Sequence, residues 1–422
     1  MPSSLPPISR RGIARVLPRI QIVGTGGQLP VNVTPSGTGT GYTRSEGSFR
    51  FQIGPKRVRG LRYAFCNFHN STGGETDGPD FTLSASLIQG GQVRRMGVNG
   101  VAQPLISAGA GIVLTDPVGG DLDAGTVWVG RAGAVFAAGA QVPAGRQIKW
   151  GGGNENYFDS AAVVSQVFSV STFTQPAGGA ASAYGFGPTA ILGIPEEPHA
   201  AVGIYGDSIP YGQNDGPDNA GNKGMYEKGL ANVFGSIPMP YSNFSRSGDQ
   251  LISNGLTGTN PTYPNKPRIR EMFGYVTDVL ITLGTNDLGS TTANISLASM
   301  QAALLSVVAA VRQAGARAHV AKLLPRTTDA GNTAIFVPGG SGDPTAYTPG
   351  GKRTLYNAAL DNMLAAGAID GIVNCNSALE DPLNPGFWVT SGLTDGIGLH
   401  PGPSAVALAT PVVNAWAKGL PV

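Results

Sequence analysis

At 422 residues the chain has room for two domains of ordinary size, and its 63 glycines and 32 prolines predict many turns between short elements. Charged residues make up 13%, about half the usual share, and the net charge of +2 argues against nucleic acid as the main partner. Cys66 and Cys375, with His69, His199, His319 and His400 standing singly, give no metal-ligand spacing, so no metal or other cofactor is expected and both thiols read as buried and inert.

Residues 1–20 are rich in Pro and Arg and read as an irregular arm. Its Arg10, Arg11, Arg15 and Arg19, with Arg57, Arg59 and Arg62 further on, are taken as a tail and a solvated strand face. Met1–Arg10 lacks the apolar core of a signal peptide, and no run approaches the ~18 apolar residues of a membrane helix. A soluble protein with no membrane partner is expected, its low charge suiting an extracellular or phage-particle setting better than the cytoplasm.

From 21 to 193 the pattern is β. Gly47–Ile53 alternates, Val58–Phe68 carries Leu61, Tyr63 and Phe65 on one side, and Phe81–Ile88, Gly111–Leu114, Thr126–Val129 and Ala162–Phe173 are further strand candidates. Short strands divided by Gly/Asn/Asp/Pro turns predict an all-β sandwich or jelly roll. Trp128, Trp150, Tyr157 and Phe158 either fill its core or stack on sugar rings.

Pro195-Glu-Glu-Pro198 reads as a linker, with 194–200 joining the β domain to a second domain over 201–422. There strands alternate with helices. Strands are expected at 201–206, 276–283, 316–324 and 369–374, and helices at 226–234, 292–314, 352–366 and 404–418, the last with Pro411 inside. That order predicts a parallel sheet covered on both faces. The loop at 326–350, rich in Gly, Thr, Asp and Pro, is either a mobile surface loop or a substrate-binding one, and it lacks the apolar character of a lipase lid.

Four motifs punctuate this half. Gly206-Asp207-Ser208 ends the apolar run from Ala201, placing a serine where α/β folds put their active sites. Ser245-Arg-Ser-Gly248, Gly284-Thr-Asn286-Asp287 and Thr394-Asp395-Gly-Ile-Gly-Leu-His400-Pro401 follow. Their order resembles the SGNH hydrolases, also called the GDSL esterase family, over roughly residues 200–420.

The resemblance implies a three-layer α/β/α domain that cleaves esters through an acyl-enzyme. Ser208 is the candidate nucleophile and His400 its base. The oxyanion donors implied are the backbone N–H groups of Ser208 and Gly248 and the side-chain amide of Asn286. Asp395 is the candidate acid that orients the imidazole. Here the chain departs from the family, whose acid stands three residues before the histidine, where this sequence has Ile397. A turn through Gly396 and Gly398 is expected to bring Asp395 to His400; the other arrangement is a backbone carbonyl on the imidazole. Asp207 and Asp287 are taken as carboxylates that hold their turns. The order of a β domain followed by an SGNH domain looks like that of carbohydrate esterases, which points to a short acyl ester, O-acetyl foremost, on a glycan. The alternatives are an O-acyltransferase using the same site, and a non-catalytic glycan-binding or virion structural protein. Oligomeric state is not legible.

Overall fold

The computed structural model describes residues 19–34, 41–71, 74–146, 149–150, 153–154, 156–160, 165–181, 184–218, 221–254 and 266–421. Arg10, Arg11 and Arg15 lie outside them.

The core of the N-terminal half is two antiparallel sheets packed face to face. One runs Gln21–Ile22, Ala190–Pro195, Val58–Cys66 and Ile112–Leu114, with Val118–Leu122 also on Val58–Cys66. The other runs Leu105–Ile106, Phe81–Gln89, Val127–Phe136, Arg44–Gln52, Asn156–Asp159 and Ala180–Ala181. Because side chains alternate across a strand, Val58–Cys66 serves two cores. Leu61, Tyr63 and Phe65 face the opposing sheet with Phe49, Phe51 and Leu83, whereas Ala64 and Cys66 face the α/β layer. Trp128, Tyr157 and Phe158 are buried, so they pack the interior rather than offer a sugar platform.

Two expectations for this half need correcting. Residues 165–173 form no strand; Arg131 donates to the carbonyls of Gln166 and Ser169 at 2.8 and 2.7 Å, and Gln166 N–H donates to Glu46 at 3.0 Å. Side chains satisfy the backbone that a sheet ladder would have used. The 162–164 part of that candidate lies outside the described residues. Pro195, read as linker, closes the strand Ala190–Pro195 in register with Val58. Proline is tolerated there because the neighbouring Gln21–Ile22 ladder reaches only Gly193.

The C-terminal half is a parallel sheet in the order Gly27–Gln28, Tyr241–Asn243, Val202–Gly206, Asp278–Thr282, Arg317–Ala321 and Gly371–Val373. On one face Val279, Ile281 and Val320 meet Met300, Leu304, Val307 and Val311 of helix Leu297–Gln313 and Tyr356 and Leu360 of helix Lys352–Ala365. On the other, Val202, Ile204 and Leu280 meet Met225, Tyr226 and Leu230 of helix Gly224–Leu230 and Val406, Ala409 and Val413 of helix Pro403–Lys418. This is a three-layer α/β/α domain. Ser296 caps Leu297–Gln313 by accepting from Ser299 N–H at 3.0 Å, so that helix starts at Leu297 rather than at the expected 292. Pro403–Lys418 runs on through Pro411. Both cysteines are buried and free, their thiols pushed up to about 12 by desolvation. Among the described residues no helix is long and apolar enough to cross a membrane.

Candidate active site

Val202–Gly206 is hydrogen-bonded on both edges, so the turn after it opens between two neighbouring loops. A Cβ on Gly206 would lie 1.7 Å from Thr282 Oγ1, so only glycine fits. Beyond it the chain coils tightly: Ile209 N–H donates to Asp207 Oδ1 at 2.9 Å, Tyr211 N–H to the Asp207 carbonyl at 3.2 Å and Gln213 N–H to the Ser208 carbonyl at 3.0 Å. Full burial pushes the Asp207 carboxyl up to about 8, against the pull of the Ile209 N–H. Asp207 thus holds the turn, and its second oxygen has no partner among the described residues.

The histidine comes from a loop closed by an antiparallel bridge between Thr394 and Pro401. Asp395 N–H donates to the His400 carbonyl at 3.1 Å, and Gly398 takes φ +63° with no room for a side chain against Thr327. Asp395 Oδ1 accepts from the backbone N–H groups of Leu399 and His400 at 3.1 and 3.2 Å. Curled in this way, the five-residue spacing brings Asp395 Oδ2 to 2.5 Å from His400 Nδ1. His400 Nε2 lies 2.9 Å from Ser208 Oγ. With the Nδ1 proton donated to the carboxylate, Nε2 is the acceptor for the serine hydroxyl. Partial burial raises the Asp395 pKa, but the His400 ring N–H and the two backbone N–H groups outweigh it and leave the carboxyl below its ordinary value. Asn214 Nδ2 donates to the His400 carbonyl at 3.0 Å and ties this loop to the serine turn.

Gly248 and Asn286 follow the two strands that flank Val202–Gly206. Gly248 has φ +83° with nothing within 4 Å of where a Cβ would sit, so conformation, not crowding, calls for glycine. Arg246 N–H donates to the Gly206 carbonyl at 2.9 Å, joining that turn to the serine strand. Asn286 Nδ2 donates to the Asp249 carbonyl at 2.8 Å, and Gln250 Nε2 to the Asn286 carbonyl at 3.3 Å. Asp287 accepts from Leu251 and Ile252 N–H at 2.7 and 2.9 Å. Burial pushes its carboxyl up to about 6, with those two donors pulling the other way. Four bonds therefore clasp the 248–252 turn to residues 286–287.

The structure thus brings Ser208, Asp395 and His400 into one hydrogen-bonded line, with Gly248 and Asn286 in turns at the same carboxyl end of the sheet. Sequence reasoning missed Asn214 and Asp249. Asp249 directly follows the motif glycine and could have been noticed there; Asn214 carries no signal. The loop 326–350 is fastened to the histidine loop rather than free: Thr327 N–H donates to the Gly398 carbonyl at 3.1 Å, Gly392 N–H to the Ala330 carbonyl at 2.8 Å and Asn332 Nδ2 to the Trp388 carbonyl at 2.8 Å. Its Ile335 and Phe336 pack against the core.

Residues 204–408 match the GDSL-like Lipase/Acylhydrolase family, a span that holds all five of these residues. This stretch belongs to that family. The GDSL-like domain is similar in fold to an acetylxylan esterase from Geobacillus stearothermophilus, at 14% identity and TM-score 0.37, over 53% of this chain and 95% of that one. It is also similar to a GDSL-like lipase from Bacteroides thetaiotaomicron, at 14% identity and TM-score 0.35, over 52% and 88%. No curated protein matches the chain by sequence. The family is one of esterases and acylhydrolases, and the β sandwich precedes the matched span.

Proposed function

We propose that the chain is a serine esterase that removes short acyl groups, O-acetyl foremost, from a carbohydrate. The observation that carries this reading is the line Asp395–His400–Ser208, with contacts of 2.5 and 2.9 Å. Ser208 Oγ attacks the ester carbonyl while His400 takes its proton, then returns it to the leaving alcohol. Water enters by the reverse route and frees the serine. Asp395 holds the tautomer and stabilises the imidazolium. Ser208 N–H, Gly248 N–H and the second N–H of Asn286 Nδ2 donate to the oxyanion; one such donor is worth roughly 3–4 kcal/mol in the transition state.

Two features support the substrate class. In the loop at 326–350, Ile335 and Phe336 are half-buried against the core and Val337 is exposed, which leaves little apolar surface for a long acyl chain. The exposed side chains around the serine turn, Gln213, Asn214 and Ser247, are polar and suit a hydroxylated alcohol. Ser208→Ala should fold, by circular dichroism, and hydrolyse p-nitrophenyl acetate at under a few per cent of the wild-type rate; a higher residual rate removes the assignment of the nucleophile. Acetate release from acetylated oligosaccharides tests the glycan, and activity on aryl esters with none on any acetylated glycan rejects it.

A further inference from the structure

The hairpin of Phe68–Ser71 and Gly74–Asp77 belongs to the N-terminal half, yet it bonds to the turn that carries Gly248. Asn70 Nδ2 donates to Asp249 Oδ2 at 3.2 Å, both residues being buried. Lys266 Nζ donates to both oxygens of Asp249 at 2.8 Å, and Arg246 Nη1 donates to Oδ1 at 3.0 Å. The main chain of the same Asp249 accepts from Asn286 Nδ2. The hairpin itself is fixed from its other strand. Glu75 accepts from the backbone N–H groups of Arg268 and Ile269 at 3.2 and 2.8 Å and from Arg268 Nε at 2.9 Å, and Asp77 accepts from Arg268 Nη1 at 2.6 Å. The Arg268 guanidinium lies over the Phe68 ring, 4.3 Å from its centroid.

We infer that Asn70 and Asp249 are positioning residues for the oxyanion donors, and that the β sandwich, through this hairpin, sets the geometry of the reaction carried out in the GDSL-like domain. This rests on the reading of Gly248 and Asn286 as oxyanion donors. Asp249 is the joint: its carboxylate is held from the sandwich side and by two cations, while its carbonyl fixes the amide of Asn286 and its neighbour is Gly248. A donor displaced by a fraction of an ångström costs rate in the transition state and little in substrate binding.

The experiment compares Asn70→Ala and Asn70→Asp with wild type in kcat and KM on p-nitrophenyl acetate, in inhibition by a boronic acid that forms a tetrahedral adduct, and in Tm. Asn70→Asp sets a second carboxylate against Asp249 in nearly the same shape. Both are expected to lose kcat, about 5–10-fold for Asn70→Ala and more for Asn70→Asp, with KM within about twofold and boronate affinity falling in parallel. Asn286→Ala calibrates the readout at a loss of about 100-fold or more, and Lys56→Ala, which breaks an exposed pair with Glu197, should match wild type. Should either Asn70 variant fail to fold, the pair Asp249→Asn with Lys266→Met, which removes the buried Asp249–Lys266 ion pair and leaves the partly exposed Arg246 facing the new amide oxygen, gives the same readout. Wild-type kcat and boronate affinity in the Asn70 variants, with Asn286→Ala impaired, overturns this inference alone. An unimpaired Asn286→Ala overturns it together with the oxyanion reading beneath it.

Discussion

Asp395→Asn is the sharpest test of the proposed chemistry, because the loop dictates which way the new amide faces. In the native loop Oδ1 accepts from two backbone N–H groups, at 3.1 and 3.2 Å, and Oδ2 faces His400 Nδ1 at 2.5 Å. An asparagine that kept its oxygen toward the two backbone donors would turn its NH2 toward Nδ1. The flipped amide would set NH2 against both donors and is disfavoured. The imidazole would then accept at Nδ1 and carry its proton on Nε2, where it faces the Ser208 hydroxyl and cannot take its proton. A wrong tautomer of this kind costs about 10⁴-fold in kcat, or roughly 5.4 kcal/mol at 1.36 kcal/mol per decade. The assay is steady-state hydrolysis of p-nitrophenyl acetate at pH 7, with circular dichroism to show the fold. KM should change little, since the loss arises in the transition state. Asp395→Ala should lose less, because an imidazole without an opposing donor samples both tautomers. If Asp395→Asn keeps more than about 1% of kcat, or loses no more than Asp395→Ala, the orienting role is wrong and Ser208 works with His400 as a dyad.

Rates on p-nitrophenyl acetate, butyrate and decanoate should fall with chain length, and a maximum at decanoate would overturn the short-acyl reading. The buried Asp207 carboxyl, pushed up to about 8, stays protonated in the fold over a range where the unfolded chain, with a pKa of about 3.9, has released its proton. The native state then binds more protons, so this group's contribution to stability falls as pH rises from about 4 to 8. Asp207→Asn should therefore match wild type in Tm near pH 4 and exceed it at pH 8, by about 2–4 °C for each kcal/mol relieved; an equal Tm difference at both pH values would show that the carboxyl is not the cause.

What the sequence made legible follows from where apolar residues cluster. The strands at 202–206 and 278–282 are covered on both faces, so they read as largely apolar runs, and the helices that follow in this half show their buried stripes. Tyr241–Asn243 and Gly27–Gln28 belong to the same sheet but are too short and too polar to carry that signal; their neighbours make them strands. At the site, each motif advertised its own loop, because Gly, Ser, Asp and Asn are the residues sharp turns require. The cross-links between loops stayed hidden. Asn70 meets Asp249, and Asn214 meets the His400 carbonyl, across sequence distances that no local pattern encodes.

The two-residue strand Gly27–Gln28 has a consequence for how the molecule is made and how it can be cut. It pairs in parallel with Ser242 and Asn243, far along the chain, and Gly27 sits so tightly against Thr189 and Ala190 that a Cβ would lie 2.4 Å from the Thr189 carbonyl. A ribosome delivers this strand early, but its sheet partner emerges only after the whole sandwich has been synthesised. The edge of the sheet is thus completed by a piece of chain that must wait for it. A gene fragment starting near residue 200 would encode the serine, histidine and aspartate but lack the outermost strand, leaving the N–H and C=O groups of Tyr241–Asn243 open to another copy. To transplant the catalytic unit, an engineer would have to carry residues 27–28 along or build a new edge in their place.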